Sequence, residues 1–580
     1  MKNLLKKNLR YSLSFFVFIF FEIKNFKKIF FYFFGYIKQE VDIFKFISEK
    51  KSNKIFKNKY LIQFLERNKN FFIKNKEVNN QKKIIVECLI NHPIYTISQS
   101  IIATILGKNF NYEIVAIIRK GDLRTKAILE SFGIKKIIVH DDWNIVLRLK
   151  SFLKSLSLLN NVDSVNKILK LKYNYIEVGK TIYEHYGRFL GEFPKKFNWT
   201  LVKFLSECLL NIDKTNLIIR KYSPTYLVQS EQQFIPHRII FQTILKKNIK
   251  IISRSDVKNC GIKIFSKFSS VNQNRYKLSK KLFDYICKKY KNNVLKESKK
   301  LFFNKRKFNI GQEIHQHLQK KIKHKIEIKN EEQFYRTFSF NNKFPTVMIL
   351  AHNMTDGNFG NSWNIFKNDY EWLIFSLDYL KNKPINILLK RHPSDDFYKS
   401  KLNTLEVYNK IRENYKKNTI KLFPEEYDLK KIKNFIDVVI TSHGSAGYQY
   451  PAFSIPTIIC GETSYSNLGF NIEPKNKTDY KKILDNLKSL KKLKNKEQNK
   501  AKIFWYLFYK LCKVELPLIY YSNIRMDYDK TLFWRKTLIE QKKMMKDIKI
   551  FEKYFNYQIK NNNTNIIKFD YLKNFGNFKF

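Results

Sequence analysis

Two short stretches of this chain carry side chains suited to chemistry on a charged oxygen. Ser442, His443, Gly444 and Ser445 follow 438–441, a run of apolar and β-branched residues that reads as a buried strand. Residues 448–453 fit a short helix and 456–460 a second strand, so the unit is strand, small-residue turn, helix, strand, the crossover that parallel strands require. Its turn falls at the carboxyl end of a strand and the amino end of a helix, where free N–H groups and the helix dipole favour an anion such as a phosphate. The second stretch is Arg391-His392-Pro393, at the end of a strand over 385–390. Pro393 holds His392 in an extended conformation. An imidazole beside Arg391 and Lys390 suits a departing phosphate. Because both stretches end strands of one expected sheet, both should open on one cleft.

Transfer of a group to a hydroxyl also needs a base. Asp356 and Glu231 stand at expected strand ends, as does His92, and Asp356 is the first choice. Each has a plainer reading: a carboxylate there also caps a helix or turn, or is solvated. Three further histidines, His315, His317 and His324, invite a metal reading. His315 and His317 point to different sides of a helix and no cysteine or carboxylate completes a set, so no metal site is expected.

The elements that must position these residues alternate. Strands are expected at 84–89, 113–118, 136–139, 226–229 and 249–252, with helices at 98–106, 124–132 and 238–245 and a mostly helical insert over 145–221. A second alternation has strands at 346–351, 385–390, 419–423, 438–441 and 456–460, with helices at 369–380 and 429–435. Such alternation implies parallel sheets with helices on both faces. The expected organisation is a basic, aromatic-rich helical leader (1–81), a Rossmann-like domain (82–265), a helical connector (266–342), a second Rossmann-like domain (343–500) and carboxyl-terminal helices (501–580).

At 580 residues the chain is too long for one ordinary core. With 44% hydrophobic residues it has ample material for two or three, which excludes wholesale disorder. The formal charge of +60 points to nucleic acid or an anionic membrane surface. The lysines are scattered rather than striped and no nucleic-acid-binding signature is present, so no specific nucleic-acid partner is expected and attraction to an acidic membrane surface is favoured. Six cysteines (Cys88, Cys208, Cys260, Cys287, Cys460, Cys512) form no CxxC pair and read as thiols of a reducing, cytoplasmic compartment. The apolar runs 12–21 and 29–34 fall short of the roughly 20 residues of a membrane span, and no small-residue cleavage site follows. An in-plane basic anchor and a helix packed on the protein body both remain open readings.

The segments 346–356, DYEW at 369–372, KRHPSD at 390–395, TSHGSAGYQYP at 441–451 and YSNLGFNIEP at 465–474 resemble, in this order, bacterial capsule and surface-polysaccharide biosynthesis proteins with a GT-B glycosyltransferase fold. NHPIYTISQSI at 91–101 resembles the opening of that group's amino-terminal half. The resemblance covers about 84–480 and is strongest after Thr346. It implies an α/β chain with two Rossmann-like domains in GT-B arrangement, and a sugar moved from a nucleotide-activated donor, cytidine-linked by similarity to other His-Pro enzymes, to a surface glycan or lipid-linked acceptor at the inner face of the cytoplasmic membrane. No cofactor is implied beyond the nucleotide sugar as co-substrate. His392 would contact the donor phosphate, with Ser442, Gly444 and Ser445 cradling it, and Arg391, Pro393, His443 and Tyr465 completing the donor pocket. Gln449 stands where many such sites carry a Glu that binds the donor ribose or sugar. A polyol-phosphate transferase and a non-catalytic glycan-assembly or export partner are the alternatives the same residues allow.

Overall fold

The computed structural model describes residues 58–73, 82–140, 145–256, 259–303, 326–357, 364–392, 395, 400–413, 420–427, 429–516, 531–542 and 544–573. Pro393, the histidines 315, 317 and 324, and the leader outside 58–73 lie outside the described residues.

Continuous apolar runs make the central strands, because strands covered by helices on both faces bury every side chain. The strands of the first sheet are β1 (Lys83–Cys88), β2 (Glu113–Ile118), β3 (Lys136–Val139), β4 (Pro224–Gln229), β5 (Lys250–Ser255) and β6 (Asn259–Phe265), with β3 at the edge and none of its side chains fully buried. In the second they are β7 (Thr346–Leu350), β8 (Asn386–Lys390), β9 (Ile420–Leu422), β10 (Val438–Thr441) and β11 (Thr457–Ile459). A last strand, β12 (Val514–Glu515), returns to the first sheet.

The two sheets are wound alike. The first runs β3-β2-β1-β4-β5 in parallel and the second β9-β8-β7-β10-β11, also in parallel. Each order reverses direction once, between β1 and β4 in one sheet and between β7 and β10 in the other. These are the switch points of a Rossmann fold, where the strand ends leave a crevice for a ligand. The fold is therefore the expected one, α/β with two Rossmann-like sheets.

The first sheet extends further than the sequence suggests. β6 runs antiparallel to β5, and its outer edge is covered by β12 and by a strip at Thr564–Ile566. Ile264 N–H donates to the Thr564 carbonyl at 2.8 Å and Ile566 N–H to the Ile262 carbonyl at 2.9 Å. Covering an edge this way satisfies its backbone groups and blocks pairing with other chains. Lys263 hides the strand signal: it lies buried in the middle of β6, its ammonium donating to the Asn274 carbonyl at 2.8 Å.

Packing ties the halves together. The helix Asn495–Tyr506 lays Phe504 and Trp505 against Tyr448 of the second half, with ring centroids 5.3 and 5.6 Å apart, and the Tyr448 and Tyr509 hydroxyls meet at 2.6 Å. The same residues belong to one apolar core with β1, β2, β4 and β6 of the first sheet. Each large side chain buried in this seam contributes about 1.5–3 kcal/mol. From the leader, the helix Lys59–Phe72 packs Phe64 against Trp534 at 5.5 Å, and Gln541 donates to Asn68 Oδ1 at 2.7 Å. No helix among the described residues is long and apolar enough to cross a membrane.

Candidate functional site

Three histidines meet at the switch point of the second sheet. β7, β8 and β10 are neighbours, and their last residues lie side by side: Thr441 opposite Leu350, and Leu350 opposite Lys390. Two positions beyond each stands a histidine: His443, His352 and His392. Equal offsets from paired residues place the three rings in a row. The His352 ring lies 4.1 Å from that of His443 and 5.1 Å from that of His392. The expectation that the His-Pro loop and the Ser-His-Gly-Ser turn open on one crevice thus corresponds to an observed row, with a residue not singled out, His352, as its centre.

A carboxylate lies behind the row. Asp369 is the first residue of the helix Asp369–Leu380, which Asn368 caps by accepting the Glu371 N–H at 2.8 Å. Asn368 also donates to the Tyr183 hydroxyl of the first half at 3.0 Å, so a side chain from across the cleft steadies this helix start. Asp369 is 5% exposed, and its carboxylate lies 3.5 Å from His352 Nδ1 and 3.7 Å from His443 Nδ1. At these distances the carboxylate acts on both rings through its charge, while His352 Nδ1 faces the Asn353 carbonyl at 3.3 Å. Burial, joined by the neighbouring His352 and opposed by Asp369, pushes the His443 pKa down to about 4. At neutral pH His443 is therefore uncharged.

The crevice retains unmet hydrogen-bonding capacity. A cavity of about 10 Å³, room for one water-sized group, is lined by Asn364, Asp369, Trp372, Ser442, His443 and Cys460. The Ser442 hydroxyl and His443 Nδ1 are buried there without a hydrogen-bond partner. One ligand atom from each of His352, Asp369 and His443 falls within 4.8 Å of the others, a spacing a cation could bridge.

The turn itself is held by packing. The helix after it begins at Ala446, earlier than its sequence suggests, and spans Ala446–Gln449 before a 3-10 turn at Pro451–Phe453. Tyr465, expected in the donor pocket, is buried beneath the turn and donates its hydroxyl to the Gly444 carbonyl at 2.5 Å. Gly447 has to be glycine, since a Cβ there would lie 2.0 Å from the Tyr465 hydroxyl. Ser445 is exposed on the outer side of the turn, Gln449 is half-buried one helical turn on, and Arg391 is half-buried beside His392.

The two base candidates sit on facing loops. Asp356 follows β7, with Arg188 of the first half 3.8 Å away. Next to it, Gly357 (φ 78°) packs so close to Gln233 that a Cβ would come within 3.0 Å of its side-chain amide nitrogen. Glu231, in the loop after β4, is committed locally: one oxygen accepts the N–H groups of Gln232 and Gln233 at 2.8 Å each, and Arg275 stands 3.7 Å off. The geometry therefore gives Glu231 a loop-bracing role and leaves Asp356 the more available carboxylate.

No family model matches this chain, and no curated protein sequence matches it. Among solved structures it is similar to KpsC of Thermosulfurimonas dismutans, titled a β-Kdo 2,4 transferase, at 10% identity over 48% of this chain and 79% of that one, with a TM-score of 0.30. A structure of KpsC from the same organism titled a β-Kdo 2,7 transferase matches at 11% identity over 57% and 89%, with a TM-score of 0.29. The UDP-GlcNAc 2-epimerase of Neisseria meningitidis bound to UDP-GlcNAc matches at 10% identity over 73% and 94%, with a TM-score of 0.21. At these values no residue role is transferred from any of the three.

Proposed function

We propose that the chain is a glycosyltransferase that moves a sugar from a nucleotide-activated donor, cytidine-linked, to a surface or capsular polysaccharide acceptor. The observation that carries this reading is the row of His392, His352 and His443 at a Rossmann switch point, beside a buried, unpartnered Ser442 hydroxyl. The sequence resemblance to capsule biosynthesis proteins points the same way.

In this reading the donor phosphate lies across the row. Arg391 and Lys390 supply positive charge, while neutral His443 and Ser442 supply hydrogen bonds. Donors already aimed at a departing phosphate need no reorganisation as its charge develops, so no metal is required. Asp356 takes the proton of the acceptor hydroxyl, facing the donor from the loop that meets the first half. The reaction takes place in the cytoplasm at the inner membrane face, which the charge of +60 favours.

A melting screen of the full chain against CMP, CDP, UDP and GDP tests the donor, since a nucleotide that binds the native state raises the melting temperature. A cytidine nucleotide should give the largest rise. His392→Ala should abolish transfer with the fold intact, and normal turnover in that variant would remove the proposed role. Adding zinc or manganese, or a chelator, should leave the rate unchanged. A rate that follows the metal would reassign His352, Asp369 and His443 as its ligands. Nucleotide binding with no transfer to any glycan would mark a non-catalytic assembly partner.

A further inference from the structure

The first sheet has a switch point too, between β1 and β4, where a fold of this kind leaves a crevice, and the polar groups at its strand ends are mismatched in one direction. Arg254, at the end of β5, is 3% exposed. Its Nε donates to the Ser230 hydroxyl at 3.2 Å, and its Nη1 is buried without a hydrogen-bond partner. Among the described residues no carboxylate lies within ion-pair distance of it: Glu231 faces Arg275, Asp256 faces Lys513 and Glu87 faces His237. An arginine this deep with an unmet donor calls for an acceptor from outside the chain.

The guanidinium lies over the first turn of a long helix. Its carbon is 4.9 Å from the ring centroid of Tyr95, the third residue of the helix Pro93–Phe110. That helix has eighteen residues and no side-chain cap, because Pro93 fills its first position and His92 makes no capping bond. A second donor, the side-chain amide nitrogen of Gln232 from the loop after β4, is likewise buried and unpartnered. Arg124 stands by, donating to Asn91 at 2.5 Å, and Asn91 lies exposed at the rim. Burial together with Arg254 and Arg124 pushes the His92 pKa down to about 3, so the imidazole adds no charge of its own.

We infer that this crevice is a second ligand site, one that takes an oxyanion, a phosphate or carboxylate carried on a small molecule, between Arg254 Nη1, Gln232 and the amino end of the helix Pro93–Phe110. The loop bearing Gln232 and Gln233 meets the β7 loop at Gly357. On the transferase reading the oxyanion belongs to the acceptor, and only that last assignment rests on it.

Calorimetric titration of the full chain at physiological salt, with inorganic phosphate in one arm and acetate in the other, tests the inference. Arg254→Gln should weaken binding of the preferred anion by about tenfold or more, while the melting shift with CMP stays as in the wild type. Stronger wild-type binding of phosphate assigns a phosphate ligand, and stronger binding of acetate a carboxylate. Wild-type binding of both anions by Arg254→Gln overturns the inference and leaves the donor reading untouched. If that variant fails to fold, Gln232→Leu takes its place: weaker anion binding supports the site and unchanged binding overturns it.

Discussion

Each sheet of this molecule buries a carboxylate beside histidine, and the two clusters differ in how closely they are drawn together. In the first, Glu87 lies inside β1, 3.2 Å from His237 Nδ1, and accepts the Leu89 N–H at 2.8 Å, while Gln229 donates to the His237 carbonyl at 3.0 Å. Burial alone would raise the Glu87 pKa, but His237, Leu89 and Gln229 together pull it below the usual carboxylate range. In the second, Asp369 keeps His352 and His443 at 3.5 and 3.7 Å, with a cavity alongside. Identical strand orders thus carry a closed pair that braces the fold and an open pair with room for a guest. Topology fixes where a crevice forms, and the spacing of a few side chains decides whether the protein fills it.

That contrast can be broken by mutation. Glu87→Ala should cost about 3–5 kcal/mol of stability, because it strands the other half of a buried pair. Chemical denaturation reads this, and a loss under about 1 kcal/mol would show that the pair is no brace. Ser442→Ala and His443→Gln should do the opposite, lowering the transfer rate by about 10²–10³ through lost stabilisation of the departing phosphate while denaturation midpoints stay near wild type. A large stability loss with normal turnover would make the second cluster structural too.

The pH dependence sharpens the same comparison. His185 and His92 in the first half are pushed down to about 3 and His443 in the second to about 4, in each case mainly by burial. A folded-state pKa below the unfolded value of about 6.5 means the unfolded chain binds protons first. The stability tied to these groups is therefore complete above about pH 6.5 and drains away as pH falls toward 4 and then 3. The His443 share is on the order of 3 kcal/mol. His443→Gln should flatten the melting-temperature curve between pH 6.5 and 4, and His185→Phe should flatten it further down. A variant curve parallel to wild type would rule out that histidine as a contributor. The smallest effect is expected at the turn, where Gly447→Ala, whose Cβ would meet the hydroxyl and two ring carbons of Tyr465, should lower the denaturation midpoint by an amount equivalent to about 1–3 kcal/mol; an unchanged midpoint would show that the turn yields freely.

Much of the scaffold was legible because apolar runs define it. β2, β3, β10 and the helix Asp369–Leu380 fall where the sequence places them. β6 was missed because a buried lysine interrupts its pattern, and β12 because two residues carry no periodicity. Of the site, His392 and the turn after β10 were readable from local chemistry. His352 and Asp369 were not singled out, although both fall in segments that carry the resemblance (346–356 and 369–372), because the partners that give them meaning are distant in sequence. One signal did exist: a histidine two residues past the strand end recurs at 352, 392 and 443. Recognising it requires knowing the strand ends to the residue, which is where sequence reading is weakest. One oxygen of Glu231 and the Tyr465 hydroxyl illustrate the converse, polar atoms of suitable chemistry that the fold bonds to its own loops.

The covered edge of β6 has a consequence for how the protein is made. A ribosome releases β1 to β6 early, yet the segments that seal the sheet, at 514–515 and 564–566, emerge roughly 250 to 300 residues later. Throughout that interval the nascent chain carries an open β edge, the kind that recruits neighbouring chains on a polysome. Synthesis that stalls between residues 460 and 514 should therefore yield aggregates, even though every strand of both Rossmann-like cores has already been translated.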